Sequence, residues 1–363
     1  MKILLLNADL YTPKHYGLSN ILIEDGTISY IGNNKKHADE VVDCKGNKVC
    51  PMFVDGHEHL LGDYWDEESI ILSGVGTIVA CLANEPTSIH VNKLIQITKN
   101  IKESGIKAYC LAGSKNFVEE TSNYILENDD VVGIKTALFQ PQRPKPNLSY
   151  EKLKHDAIST YEAGTKSGKT TQVHIHLDHP FARGEQLPVQ EIETGKYDNL
   201  GWIDKLVEET GIPYSLFKLT HAQKYYNRIL EYANKGCYID YTAFHKEYDK
   251  RFDSLVEAVK NNSVDSTKIS ISSDLGIMAM ERGEEKDSPT SLLYTMKTLI
   301  DKGVSFEQAL SMITINALSP IRRENELIAE GAKAKVLILS EDLRIEKIIL
   351  KDKIIINSNI IKI

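Results

Sequence analysis

Residues 51–59 read Pro51-Met52-Phe53-Val54-Asp55-Gly56-His57-Glu58-His59, and their interpretation decides how the rest of the chain is read. The apolar run 49–54 has the composition of a short buried strand. It is broken by Asp55-Gly56 and followed by two histidines two residues apart. Side chains alternate faces along extended backbone, so His57 and His59 point the same way and can share one metal ion. Alone the pair is a weak signal, because most His-x-His pairs in proteins bind nothing. Its weight depends on what later segments bring to the same place.

At 363 residues the chain is long enough for one large domain and a smaller one. Hydrophobic content of 42% and charged content of 26% are ordinary for a globular protein. A formal charge of −8, with no stripe of lysine or arginine, argues against nucleic acid as a partner. The five cysteines are scattered and form no Cys-x-x-Cys, which reads as buried reduced thiols rather than a disulfide framework or a cysteine-based metal site. The first residues are too briefly apolar for a signal peptide and no run reaches membrane-spanning length, so a cytoplasmic protein is expected.

Both ends of the chain carry short β-type runs separated by turn signals: 3–6, 21–23, 28–31 and 41–42 at the start, and 335–339, 345–350 and 353–356 at the end. A small β-sandwich built from residues 1–50 and 325–363 is expected. Between them, eight apolar runs (49–54, 77–82, 107–111, 131–137, 171–176, 216–220, 238–241 and 268–272) alternate with segments of helical periodicity at 95–101, 152–161, 203–207 and 229–233. Ser305 and Gln308 have the spacing of a capping box before a helix over 306–314. Eight β/α repeats predict a (β/α)₈ barrel over 51–324.

Chemistry in such barrels sits where the strands end. Those ends carry His57 and His59 at strand 1, Lys135 at strand 4, His174 at strand 5, His221 at strand 6 and Asp274 at strand 8. Lys135, inside Val131-Val132-Gly133-Ile134-Lys135, is awkwardly buried for a cation: it is either a rim lysine paired with a carboxylate or one carboxylated by CO₂ that bridges metals. His174 is preferred over His176 and His179 as the strand-5 ligand. Four histidines, a modifiable lysine and an aspartate suit two divalent ions, zinc first. A bridging hydroxide would attack an amide-like carbon, with Asp274 moving its proton to the leaving amine.

In this ordered set the chain resembles the amidohydrolase superfamily over nearly its whole length, and within it isoaspartyl dipeptidases. Residues 51–61, Gly76-Thr77-Ile78-Val79, Val132-Gly133-Ile134-Lys135, Leu219-Thr220-His221, residues 236–242 and Ile271-Ser272-Ser273-Asp274 carry the likeness. The resemblance implies two zincs bridged by carboxylated Lys135, a substrate linked through the β-carboxyl of aspartate, and a homo-oligomer. It also implies substrate contacts that match less well. A glutamate that holds the free amine corresponds to Asp66 or Glu67, and a tyrosine that polarises the scissile carbonyl is replaced by Lys115. An arginine falls at Arg143, with Gln142 aligning equally, another at Lys224, and a carboxylate-binding serine at Met278. A dihydroorotase-like hydrolase of cyclic amides and a deaminase are the alternative enzymes. A non-catalytic scaffold is disfavoured because every expected ligand is present.

Overall fold

The computed structural model describes residues 1–61, 66–83, 85–114, 120–139, 148–178, 189–196, 198–244, 247–276, 290–324 and 327–356. The N-terminal flank forms β1 (Lys2–Tyr11), β2 (His15–Glu24), β3 (Thr27–Gly32), β4 (Glu40–Asp43) and β5 (Lys48–Pro51). Eight strands follow: β6 (Phe53–Glu58), β7 (Val75–Ala80), β8 (Lys107–Ala112), β9 (Val131–Leu138), β10 (Gln172–Leu177), β11 (Phe217–Thr220), β12 (Tyr238–Thr242) and β13 (Ile269–Ser272). The chain closes with β14 (Lys335–Leu339), β15 (Ile345–Leu350) and β16 (Lys353–Ile356).

Strands β6 to β13 pair in parallel with their sequence neighbours, in order, with helices in the crossovers. That is the (β/α)₈ barrel. Its ring closes through backbone hydrogen bonds from Asp274 N to His57 O (3.1 Å) and from His59 N to Leu275 O (2.9 Å). The flanking strands of both termini join in a separate eight-stranded sheet, where β14 pairs antiparallel with β5. Ile3, Leu5, Leu10, Ile21, Val336 and Ile338 belong to a core of its own.

One expected boundary moves. The run 49–54 is not one strand: Pro51 pairs with Val336 in the terminal sheet, whereas Phe53 N donates to Gly74 O at the start of the barrel. Met52 is the crossing point, and its N–H is satisfied by Lys335 O. The barrel strand therefore runs on through His57, and the two histidines lie at its end rather than beyond it.

The helices follow their expected signals; those over 95–101, 152–161, 203–207 and 229–233 extend past them, whereas the one expected over 306–314 ends at Met312. The helix Tyr150–Ser167 is capped by Ser149, whose side chain accepts from Lys152 N, and ends at Gly168 in the left-handed conformation. It buries Leu153, Ala157, Thr160, Ala163 and Gly164, a stripe at three- and four-residue spacing. The Ser305–Gln308 capping box is formed, at the start of the helix Phe306–Met312. Among the described residues no helix is long and apolar enough to cross a membrane.

Candidate metal centre

Each of the six expected ligand residues is buried, and short contacts link their side chains into one cluster. His57 Nε2 and His59 Nε2 are 3.1 Å apart. Asp274 Oδ1 lies 3.4 Å from the first and 3.2 Å from the second, and Lys135 Nζ lies 2.9 and 3.5 Å from them. Four donors around an ion at a zinc–nitrogen distance of about 2.0–2.1 Å stand roughly 3.3 Å apart in a tetrahedron. The two imidazoles and the carboxylate already have that spacing. Asp274 Oδ1 is buried and, despite its neighbours, has no hydrogen-bond partner, as expected of a ligand atom.

The other two histidines pack against the His57 ring, with centroids 4.8 Å (His174) and 5.4 Å (His221) from it. His174 Nε2 is 3.0 Å from His57 Nδ1, and its own Nδ1 is buried without a hydrogen bond. His57, His221 and Asp274 present ligand atoms within 4.8 Å of one another, as do His57, His59 and Cys81. His57 belongs to both groups.

The far side of three rings is held by oxygen. His57 Nδ1 meets Thr220 Oγ1 at 3.1 Å, His59 Nδ1 meets the Cys81 carbonyl at 3.1 Å, and His221 Nδ1 meets Thr242 Oγ1 at 2.7 Å. The carbonyl can only accept, so His59 carries its proton on Nδ1 and leaves Nε2 free to ligate. Thr220 in turn donates to Asp240 Oδ2 (2.9 Å), so it accepts from His57 and fixes the same tautomer there. Asp240 also accepts from Ser270 Oγ and Ser272 Oγ and pairs with buried Lys218 at 3.2 Å. This network lies in the barrel interior and supports the centre from below.

Electrostatics favour the neutral ring at His57 and His174, whereas at His59 burial is outweighed by Cys81 and Asp274, which raise its basicity. Burial lowers the basicity of His57 and His174, and the charges of Lys135 on the first and of Lys218 and Lys135 on the second lower it further. The sheet register explains the second case: His174 lies directly between Lys135 and Lys218. Burial would raise the Asp274 carboxyl, but His221, His59 and Lys135 outweigh it and hold it well below the usual range. Neutral imidazoles and an ionised carboxylate are the forms that bind a metal.

Two of the six residues also carry backbone strain. His221 (φ 65°) and Asp274 (φ 57°) both adopt the left-handed conformation. Two glycines make room. A Cβ on Gly56 would lie 2.6 Å from Lys218 Nζ, which donates to Gly56 O at 3.3 Å, and a Cβ on Gly276 would lie 2.3 Å from His59 O.

The expected substrate contacts fare differently. Asp66 caps the helix Glu67–Leu72, accepting from Ser69 N (2.7 Å) and Ser69 Oγ (2.6 Å), and Glu67 opens that helix, half-buried. Lys224 donates to Leu177 O at 3.2 Å, and its charge helps keep His221 neutral. Lys115, Gln142, Arg143, His179 and Met278 lie outside the described residues. His176 stacks edge-on against His221, with ring centroids 4.4 Å apart, beside the centre.

Sequence reasoning missed Thr220, Asp240, Thr242, Lys218 and Cys81. Asp240 and Lys218 had a signal, since each is a charged residue inside a short apolar strand run. Cys81, buried at the end of β7, reads in the sequence as one more inert thiol. Its Sγ lies 3.2 Å from Lys135 Nζ.

The sequence matches no protein-family model. Among solved structures, the fold is similar to that of a β-aspartyl dipeptidase from the thermophilic, keratin-degrading Fervidobacterium islandicum AW-1, also solved with the dipeptide β-Asp-Leu. The TM-score is 0.80 at 21% identity, over 98% of this chain and 97% of that one. It is similar to an L-hydantoinase (dihydropyrimidinase) from Arthrobacter aurescens, with a TM-score of 0.68, 14% identity, and 98% and 96% of the two chains covered. It is also similar to a dihydroorotase, with a TM-score of 0.63, 17% identity, and coverage of 98% and 99%. The shared fold thus extends over both the barrel and the terminal sheet.

Proposed function

We propose that this protein is a metal-dependent amidohydrolase that cleaves a C–N bond of a small anionic amide, and that β-aspartyl dipeptides are its substrate class. The convergence of His57 Nε2, His59 Nε2 and Asp274 Oδ1 at tetrahedral ligand spacing carries this reading. The likeness in fold to a dipeptidase solved with β-Asp-Leu supports the choice of substrate.

Divalent ions held there, most naturally zinc, would make water nucleophilic near neutral pH and polarise the scissile carbonyl. Asp274, kept ionised in its setting, takes the proton of the attacking water and returns it to the leaving nitrogen. His57, His174 and His221 stay neutral, and with His59 they orient the centre. Lys135, by resemblance, carries the carboxyl group that joins two ions. Lys115, Arg143 and Lys224 supply positive charge for the substrate carboxylates, and Asp66 or Glu67 receives its amine. The chain acts as a homo-oligomer.

The test is leucine release from β-aspartyl-leucine by zinc-loaded protein, with the α-linked isomer beside it. Cleavage of the β-linked peptide alone is expected. A second reading, hydrolysis of cyclic amides, is favoured by the likeness to a hydantoinase and a dihydroorotase. Turnover of hydantoin or dihydroorotate with both dipeptides intact would establish it instead. No turnover of any of these by protein with its full metal complement would overturn the amide reading.

A further inference from the structure

Two further side chains reach the His57–His59 pair. Lys135 Nζ lies 2.9 Å from His57 Nε2, and Cys81 Sγ lies 3.2 Å from that nitrogen of Lys135. Cys81 leaves the end of β7, the strand next to the one that carries the histidines. Its backbone is tied to that strand on both sides: its N–H donates to Glu58 O at 2.8 Å and its carbonyl accepts from His59 Nδ1 at 3.1 Å. The sulfur therefore has a fixed position relative to the His57–His59 pair, 3.9 Å from His59 Nδ1 and within 4.8 Å of one ring nitrogen of each. Asp274 Oδ1, buried and without a hydrogen bond, points to an ion in the same space.

We infer that Cys81 is a metal ligand: its thiolate coordinates the ion bound by His57, His59 and Asp274. This rests on the metallohydrolase reading and deepens it. As the ion binds, the Cys81 thiol loses its proton to solvent and a sulfur–metal bond forms, while Lys135 keeps the joining role given to it above. A sulfur ligand also sets the choice of metal, favouring zinc or cobalt over magnesium or manganese, which prefer oxygen donors. The other four cysteines, Cys44, Cys50, Cys110 and Cys237, are buried in apolar surroundings away from the centre.

The experiment is to load the full-length protein with cobalt(II), measure its metal content, and record its near-ultraviolet spectrum. Wild-type protein is expected to show a thiolate-to-cobalt charge-transfer band. Cys81→Ser should lose the band while keeping the circular dichroism of the fold, and Lys135→Met should keep it. Zinc-edge X-ray absorption on the wild type, which needs no variant, should show a sulfur neighbour at about 2.3 Å. Cobalt-loaded, active protein with no such band, or a band unchanged in Cys81→Ser, would overturn this inference and leave the hydrolase reading intact. Protein that takes up no cobalt or zinc would overturn both.

Discussion

The backbone N–H of Asp274 donates to the carbonyl of His57 at 3.1 Å, so the first and last barrel strands are joined at the residues that face the metal position. Closing the barrel and assembling the centre are one event. The carboxylate and the two imidazoles cannot be brought to ligand spacing unless the ring closes in this register.

Replacing Asp274 with asparagine should keep that seam, since the backbone bond needs no carboxylate, and remove the proton carrier. A fall in kcat of about 10²–10⁴-fold is expected. Steady-state kinetics on metal-matched samples would check it, and an unchanged kcat would refute the role.

Gly276 stands against the same seam at φ 90°, with no space for a Cβ beside His59 O. Gly276→Ala should destabilise the protein by about 1–3 kcal/mol and loosen metal binding with every ligand still present. Thermal unfolding with and without zinc would show both effects together.

Thr220→Val removes the hydroxyl that holds His57 Nδ1 and leaves Asp240 with Ser270, Ser272 and Lys218. Zinc affinity should fall about 10–100-fold while the fold persists. Competition with a chromogenic chelator measures it. An affinity equal to wild type would mean that the threonine does not orient the ring.

The pH dependence of the metal-free protein has two opposed parts. Burial and nearby lysines keep His57, His174 and His221 below the ordinary histidine value of 6.5 in the fold. Their contribution to stability is complete above that value and is lost as pH falls towards the folded values. Glu58 runs the other way. Its two oxygens are buried without partners, and burial and Asp55 hold it well above the usual carboxyl range. Its contribution is complete at low pH and is lost as pH rises through the folded value. Glu58→Gln should therefore raise the Tm relative to wild type by more at about pH 8 than at about pH 5. Equal gains at both would show that Glu58 does not titrate within the fold.

The convergence of the six residues was legible because each interrupts an apolar strand run at or near its end (Lys135 and His174 sit inside their strands rather than at the last residue), and barrel topology brings such ends together. The sheet change at Met52 was not, because Cys50-Pro51-Met52-Phe53 is apolar on both sides of the switch and only pairing to Val336 and Gly74 distinguishes them. The supporting network was half legible. Lys218 and Asp240 stand out as charges within apolar runs, but their pairing depends on strand register. Thr220, flanking the strand-6 histidine, looks like an ordinary β-former until the hydrogen bond to His57 is seen. Cys81 shows how a buried cysteine in an apolar run reads the same whether it lies in a core or against a metal position.

The most direct test of the central claim is zinc content after incubation with excess zinc and removal of loosely bound metal. Wild-type protein should be compared with a His57→Ala/His59→Ala double variant that retains the native circular dichroism. Two zinc ions per chain are expected in the wild type, with loss of metal in the variant. A wild-type protein that retains no more zinc than the double variant would contradict the account.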